Sequence, residues 1–589
     1  MRKFIVRLLA VVGALSILFV FAILAFLLLS WSSKPGVPGK VILELNLETG
    51  LVEAIPNDPI ANVMMSDTTT VRDIVEGLER AGNDDRVAGL VARLGGTTTG
   101  MAQSQEIRDA IINFRGKNKF AIAFAETFGE VGPGTGSYYL ATSFDQIYLQ
   151  PSGDIGLTGV ILEGQFVKGT LEKLGVQPRM DNRYEYKAAM YTFTEKQFTP
   201  SHREEMEAIM NSWFSQITRG IAEGRKMNEQ QVRALVDKGP FLGQEAVDAG
   251  LVDKLAYRDE VYAEAKSKAG DRAEFLFMNK YLDRAGRPHQ SGQTIALIYG
   301  VGGVTRGKSG YSPVSGDINM GSDTVAAALR AAIEDKNVKA IIFRVDSPGG
   351  SYVASDTIWR ETVRAKQAGK PVIVSMGDLA GSGGYFVAMA ADKIVAQPGT
   401  ITGSIGVLGG KMVTTGFWDK IGISWDEVHA GANATMFTGT KDYTPAEWAE
   451  FQAWLDRVYT DFTSKVAEGR RLPKERVLQI AKGRIYTGED AKGLGLVDEV
   501  GGFPMALKLA KEAASIPESD DVNLRVFPAK RSTYEAFFGE SPESSEREGT
   551  AAALAETLRA IQPVVQKLKA IEAGEQPAQL RMPAVKARH

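Results

Sequence analysis

The pattern of apolar and polar positions is one-sided at the start of the chain. Residues 8–31, LLAVVGALSILFVFAILAFLLLSW, contain no charged position, and about 20 such residues in a helix cross a hydrocarbon core of about 30 Å. A transmembrane anchor is therefore predicted at 8–31. A cleaved signal peptide is the alternative, but the run is long for one, and the following SWSSKPGVPG has no small-x-small site directly behind it. Arg2, Lys3 and Arg7 precede the span, so the positive-inside tendency puts residues 1–7 in the cytoplasm and the body outside. In a bacterium this predicts a single-pass inner-membrane protein with a periplasmic body, joined through a Pro/Gly-containing linker at 32–40.

Past the linker the pattern changes. Apolar, β-rich runs such as AIIFRV (340–345) and PVIVSM (371–376) alternate with helical patterns such as TVAAALRAAIED (324–335). This alternation predicts βα units with buried parallel strands, an α/β fold. The pattern also occurs twice. DDRVAGLVARL at 84–94 returns 251 residues later as DKNVKAIIFRV, and YYLATSFDQIYLQP at 138–151 returns 247 residues later as YFVAMAADKIVAQP. IAEGRK (221–226) and AGLVDKL (249–255) return as VAEGRR and LGLVDEV, each at an offset of 245. A solenoid would need more copies at a period of about 20–50 residues. Two tandem homologous domains are predicted, 41–290 and 291–527, divided near the polar AGRPHQSGQ (285–293). The tail, 528–589, is polar at first and then carries a helical pattern at 550–572, interrupted at Pro563.

Charge and composition narrow the chemistry. With 68 basic against 71 acidic side chains, there is no broad basic field for phosphates, so nucleic acid is not an expected partner. The chain has no cysteine, which excludes disulfides, thiolate catalysis and zinc–thiolate sites. Four scattered histidines argue against a multi-histidine metal centre, and no cofactor is expected.

Two glycine-rich turns in the second half follow predicted strands: VDSPGGS at 345–351 and GDLAGSGGYFVAMAA at 377–391. Ligands collect beyond the carboxyl ends of strands in open α/β sheets, so Gly349, Gly350 and Ser382 are expected to converge there. Backbone N–H groups of Gly349 or Gly350 and of Gly383 are candidate oxyanion donors. In the first half the gapless match puts Thr135 opposite Ser382, and SPGG has a different counterpart, LGGT (94–97). A serine nucleophile needs a proton acceptor. His202, His289 and His589 lie in unpromising contexts, and only His429 is arguable. Lysine can serve if burial lowers its pKa. The first half offers Lys187 within RYEYKAAM (183–190), although a lone lysine is ordinarily a solvated charge.

Together SPGG, GSGGY, TGSIGV (402–407) and YEYK (184–187), behind one apolar span, resemble the long, duplicated form of signal peptide peptidase A, also called protease IV. The resemblance covers roughly residues 40–527. It implies two tandem ClpP/crotonase-like domains and a Ser/Lys dyad divided between them. Ser382 is then the nucleophile, Lys187 the general base and Ser404 the hydroxyl that orients the lysine. At the 247-residue offset Lys187 faces Ala434 and Ser404 faces Leu157, so each half supplies what the other lacks. The family further implies peptide substrates, cleavage of remnant signal peptides, a homotetramer and an apolar cleft. The competing expectations are a non-catalytic membrane scaffold and a crotonase-like acyl-CoA enzyme. The second is opposed by the extracytoplasmic location and by the absence of an obvious nucleotide-binding patch.

Overall fold

The computed structural model describes residues 35–528, apart from 59–60, 62–63, 66–67, 97–98 and 313–314, together with 586–588. The predicted anchor at 8–31 and the helical pattern at 550–572 lie outside the described residues.

Two parallel sheets form the framework. The first runs in the order Glu274–Phe277, Val41–Asn46, Val87–Leu94, Phe120–Ala125, Gln146–Leu149, Lys254–Leu255, parallel throughout. Its strands are nearly continuous apolar runs because both faces are covered. Ile42, Val91, Ile122 and Phe124 pack under Val261 and Ala265 of the helix Arg258–Ala269. The alternating residues Leu43, Leu45, Leu90 and Ala92 face the larger core on the other side.

The second sheet repeats this order as Val522–Phe527, Gln293–Val301, Val338–Ser347 and Val372–Gly381, and then forks. The first part of Val372–Gly381 pairs with Lys393–Ala396, which leads to Glu499–Val500. Its last residues pair with Ile401–Gly403, which pairs antiparallel with Ile485–Thr487. The duplication extends to single bonds. The 26-residue helices Pro200–Arg225 and Pro445–Arg470 both start behind a capping threonine, Thr199 or Thr444, and both end at a left-handed residue, Lys226 or Arg471. Tyr138 donates its hydroxyl to the Leu251 carbonyl, and Tyr385 does the same to Leu496. The α/β fold in two related halves is as the sequence predicts.

A strand pair and two helix caps are among the contacts that join the halves. Gln177–Asn182 of the first half pairs antiparallel with Leu408–Val413 of the second. Elsewhere each half caps a helix of the other. The Met101–Arg115 helix begins behind Gly100, which has no capping side chain, and Asp378 accepts the Gln103 N–H there at 3.0 Å. The Phe503–Ala513 helix begins behind Gly502, and Glu106 accepts the Phe503 N–H at 2.7 Å. Acceptors at these positions satisfy N–H groups that a helix cannot satisfy itself.

Arg344 lies between these caps, buried, and donates to Glu53 at 2.9 and 3.0 Å, to Glu106 at 2.8 Å and to Ser375 at 2.8 Å. Burial pushes the nearby Asp346 carboxyl well up, helped by the charges of Glu53 and Asp378, and pushes Asp378 up to about 7. One guanidinium thus serves two glutamates, while burial favours the protonated form of Asp346. Arg344→Ala strands Glu53 and Glu106 without a counter-charge and is expected to cost about 3–5 kcal/mol. A urea or thermal unfolding midpoint equal to that of the parent chain would contradict this account.

Candidate active site

The strand Val372–Gly381 runs into the short helix Gly383–Ala388, and Ser382 is the residue at the turn, with φ of 54° and ψ of −116°. Such a φ is uncommon for a residue with a Cβ and persists only where neighbours enforce it. Here the Ser382 N–H donates to the Gly403 carbonyl at 2.9 Å, and its carbonyl accepts the Phe386 N–H at 2.8 Å. The hydroxyl is left at the carboxyl end of the sheet.

Lys187 arrives from the other half. The chain leaves the strand Gln177–Asn182 with the Arg183 N–H on the Val407 carbonyl at 2.9 Å, and the Tyr186 N–H reaches the Lys482 carbonyl at 3.3 Å. Asn182 holds the Lys187 carbonyl at 2.9 Å. Lys187 Nζ then lies 2.9 Å from Ser382 Oγ, 2.9 Å from Ser404 Oγ and 2.8 Å from the Ser404 carbonyl. Both Lys187 (2% exposed) and Ser382 (4%) are buried. Burial pushes the amine down to about 7, against a smaller upward pull from Glu205.

Ser404 is set by its own N–H, which donates to the Arg484 carbonyl at 2.7 Å. Next to it, Gly483 has φ of 83°, and a methyl carbon there would lie 2.5 Å from Lys187 Cβ. Only glycine lets the two backbones approach this closely. Neither Gly483 nor its role was foreseen from sequence. AKGRI at 481–485 contains a visible glycine, but nothing in its spacing points to Lys187, 296 residues earlier.

The glycines behave unequally. Gly349, at φ of 96°, packs so closely that a methyl carbon on it would lie 2.6 Å from the Gly383 nitrogen and 2.8 Å from Ser382 Cβ. Its N–H is already given to Ser347 Oγ at 3.2 Å. Among the described residues the N–H groups of Gly350 and Gly383 have no such acceptor. All six expected site residues are therefore brought together.

Their counterparts in the opposite half are not equipped in the same way. The Thr135 hydroxyl is buried and accepts the Gly159 N–H at 3.1 Å. Leu157 is buried and Ala434 is exposed. Of the histidines, His202 sits among Phe198, Tyr191 and Phe166, His289 meets Glu79, and His429 meets Glu427. His589 lies outside the described residues. Among the described residues no cluster of histidine, aspartate and glutamate is placed to hold a metal ion.

From Ser351 and Val304, beside Gly350, a cleft of about 1250 Å³ opens over Leu408, Met436, Phe451 and Trp454. It is largely apolar and aromatic.

The model of peptidase family S49 matches this chain twice, at residues 122–271 and 364–517. The chain belongs to peptidase family S49. It is a serine peptidase, a hydrolase of peptide bonds. It is 32% identical over 458 residues to Protease 4 of Salmonella typhi, covering 76% of this chain and 72% of that protein. It is 30% identical over 461 residues to the chloroplastic serine protease SPPA of Arabidopsis thaliana, covering 76% of this chain and 66%, just under two thirds, of that one. Among solved structures, a ClpP1 mutant from Listeria monocytogenes aligns with 36% of this chain and 94% of its own, at 16% identity and a TM-score of 0.23.

In this S49 peptidase, Gly483→Ala would put a methyl group into the Lys187 backbone and displace the amine. A displacement of about 1 Å costs on the order of 100-fold in rate. Peptide hydrolysis by the folded variant is expected to fall accordingly, and parental activity would show that the close approach is dispensable.

Proposed function

We propose that this S49 peptidase is a membrane-anchored Ser/Lys endopeptidase that degrades remnant signal peptides, with Ser382 as nucleophile and Lys187 as general base. The observation that carries this reading is the 2.9 Å approach of a buried lysine amine to the hydroxyl of a turn serine. A neutral amine has two N–H groups and one lone pair. With its N–H groups on the Ser404 carbonyl and hydroxyl, the lone pair is free to accept from Ser382.

Lys187 takes the Ser382 proton as Oγ forms a bond to the peptide carbonyl carbon. The negative charge moves to the carbonyl oxygen, where the free N–H groups of Gly383 and Gly350 are the donors. Gly349 contributes its shape and not its N–H. When the C–N bond breaks, the ammonium returns its proton to the leaving amine. Water then attacks the acyl-enzyme with the same base.

The apolar cleft supports apolar peptides as substrates. The uncharged run at 8–31 supports an anchor in the bacterial inner membrane, with the catalytic body on the periplasmic side. Assembly is proposed as a homotetramer closed head to tail. The internal repeat supports it: residues 424–429 correspond, 247 residues on, to Gln177–Asn182, yet they are largely exposed and have no strand partner among the described residues.

Ser382→Ala and Lys187→Ala are each expected to lower hydrolysis by at least about 10³-fold with folding intact. A membrane scaffold, in contrast, would keep every activity in both variants. The working form of Lys187 is the deprotonated one, so kcat/KM should rise about tenfold per pH unit below about 7 and level off above it. A flat profile across that range would sink the lysine as base.

A further inference from the structure

Glu205 is buried (2% exposed) on the second-half-facing side of the helix Pro200–Arg225. Its carboxyl accepts the Ile485 N–H at 2.7 Å. Ile485 opposes Gly403 in the antiparallel pair that ends at the site. Just before Ile485 lie both supports of the base: the Arg484 carbonyl, which holds the Ser404 N–H, and Gly483, which backs Lys187. One carboxyl from the first half thus pins the second-half strand on which the lysine rests.

Glu205 pins it without an ion pair. Arg484, the cation beside it, gives its guanidinium to Glu204 at 2.7 Å, and Glu204 also accepts the Tyr186 hydroxyl at 2.7 Å. Among the described residues Glu205 makes no salt bridge. The charged and titratable groups facing it are Arg484, Lys187, Glu204 and Tyr486. A buried carboxylate with one N–H donor and no counter-ion is costly, and such a group keeps its proton instead. Burial pushes this carboxyl up to about 8, against smaller downward pulls from the Ile485 N–H, Arg484 and Lys187.

We propose that Glu205 is a positioning residue that works as a neutral acid, fixing Ile485, and through it Ser404 and Gly483, without placing a counter-charge beside Lys187. The inference rests on Lys187 being the base. An ionised carboxylate at this place would stabilise the ammonium and deplete the neutral amine on which proton abstraction depends. A protonated one supplies the same acceptor oxygen without that effect.

The test is kcat and KM against pH for Glu205→Gln and Glu205→Leu in the full-length enzyme. Glutamine keeps the acceptor and stays neutral, so its kcat/KM should be within about threefold of the parent, with the acid limb at the same pH. Leucine removes the acceptor, and kcat should fall at least about tenfold with KM little changed, because the base is displaced and the substrate cleft is not. An acid limb shifted down by about one pH unit in Glu205→Gln would mean a charged carboxylate beside the amine and overturns the proposal. Parental kcat in Glu205→Leu overturns the positioning role. If the leucine variant fails to fold, the infrared difference between parent and Glu205→Gln at pH 7 decides. A protonated-carboxyl band lost on substitution supports the proposal, and a lost carboxylate band overturns it. Full activity of Lys187→Ala would instead remove the dyad itself, whatever the Glu205 variants do.

Discussion

The burial of one amine between two halves of the chain is the constraint on which the rest of the site depends. In water a lysine at neutral pH is almost entirely an ammonium and cannot accept a proton. Lys187 is brought down to about 7 by burial, and that burial exists only where the halves dock. The antiparallel pairing of Gln177–Asn182 with Leu408–Val413 aims the loop that carries it. Gly483 lets the loop come close, and Ser404 receives the amine with two oxygens. Each of these contacts joins the two halves, so a first half standing alone would have an ordinary lysine.

Docking around a buried amine also requires polar groups at the interface to be satisfied. Asp378 and Glu106 each reach across to the start of a helix in the other half, and Arg344 links two first-half glutamates. Buried charges of this kind add little net stability compared with a well-packed apolar interface, but leaving one unpaired is costly. Misaligned halves would leave several unpaired at once. This penalises wrong registers and helps to hold a contact as short as that between Lys187 and Ser382. Carboxyls with their pKa raised by burial, at Asp346, Asp378 and Glu205, recur where an acceptor is needed and a full charge would be left exposed to a low dielectric.

The α/β fold and its duplication were legible in the sequence because strands buried on both faces are uninterrupted apolar runs, and because both copies keep their order. Ser382 and its glycines were legible too, since a tight turn at a strand end leaves a local signature. Lys187 was legible only through its resemblance to a family, because nothing local distinguishes a lysine destined for burial. Glu205 and Gly483 were not legible. They sit 280 or more residues from the partners that give them meaning, Ile485 and Lys187, and their contacts are created by docking. The choice between Gly349 and Gly350 was also beyond the sequence, since it turns on the Ser347 hydroxyl taking the Gly349 N–H. The fork in the second sheet was equally hidden. A ten-residue strand whose first part pairs with one neighbour and whose last part pairs with another reads as one apolar run.

The division of parts between the halves separates two tasks that most single-domain sites combine. The cleft that opens from Ser351, next to Gly350, is lined by second-half residues, among them Val304, Leu408, Met436, Phe451 and Trp454, whereas the amine comes from the first half. Substitutions that reshape the cleft need not disturb the burial of Lys187, and changes in the first half can adjust its proton affinity without touching the cleft. The strand Leu408–Val413 is where the two tasks meet. Its pairing with Gln177–Asn182 aims the base, while its first residues, Leu408 to Gly410, also line the cleft. That strand is therefore the least free to vary, since a change suited to the substrate would also move the base.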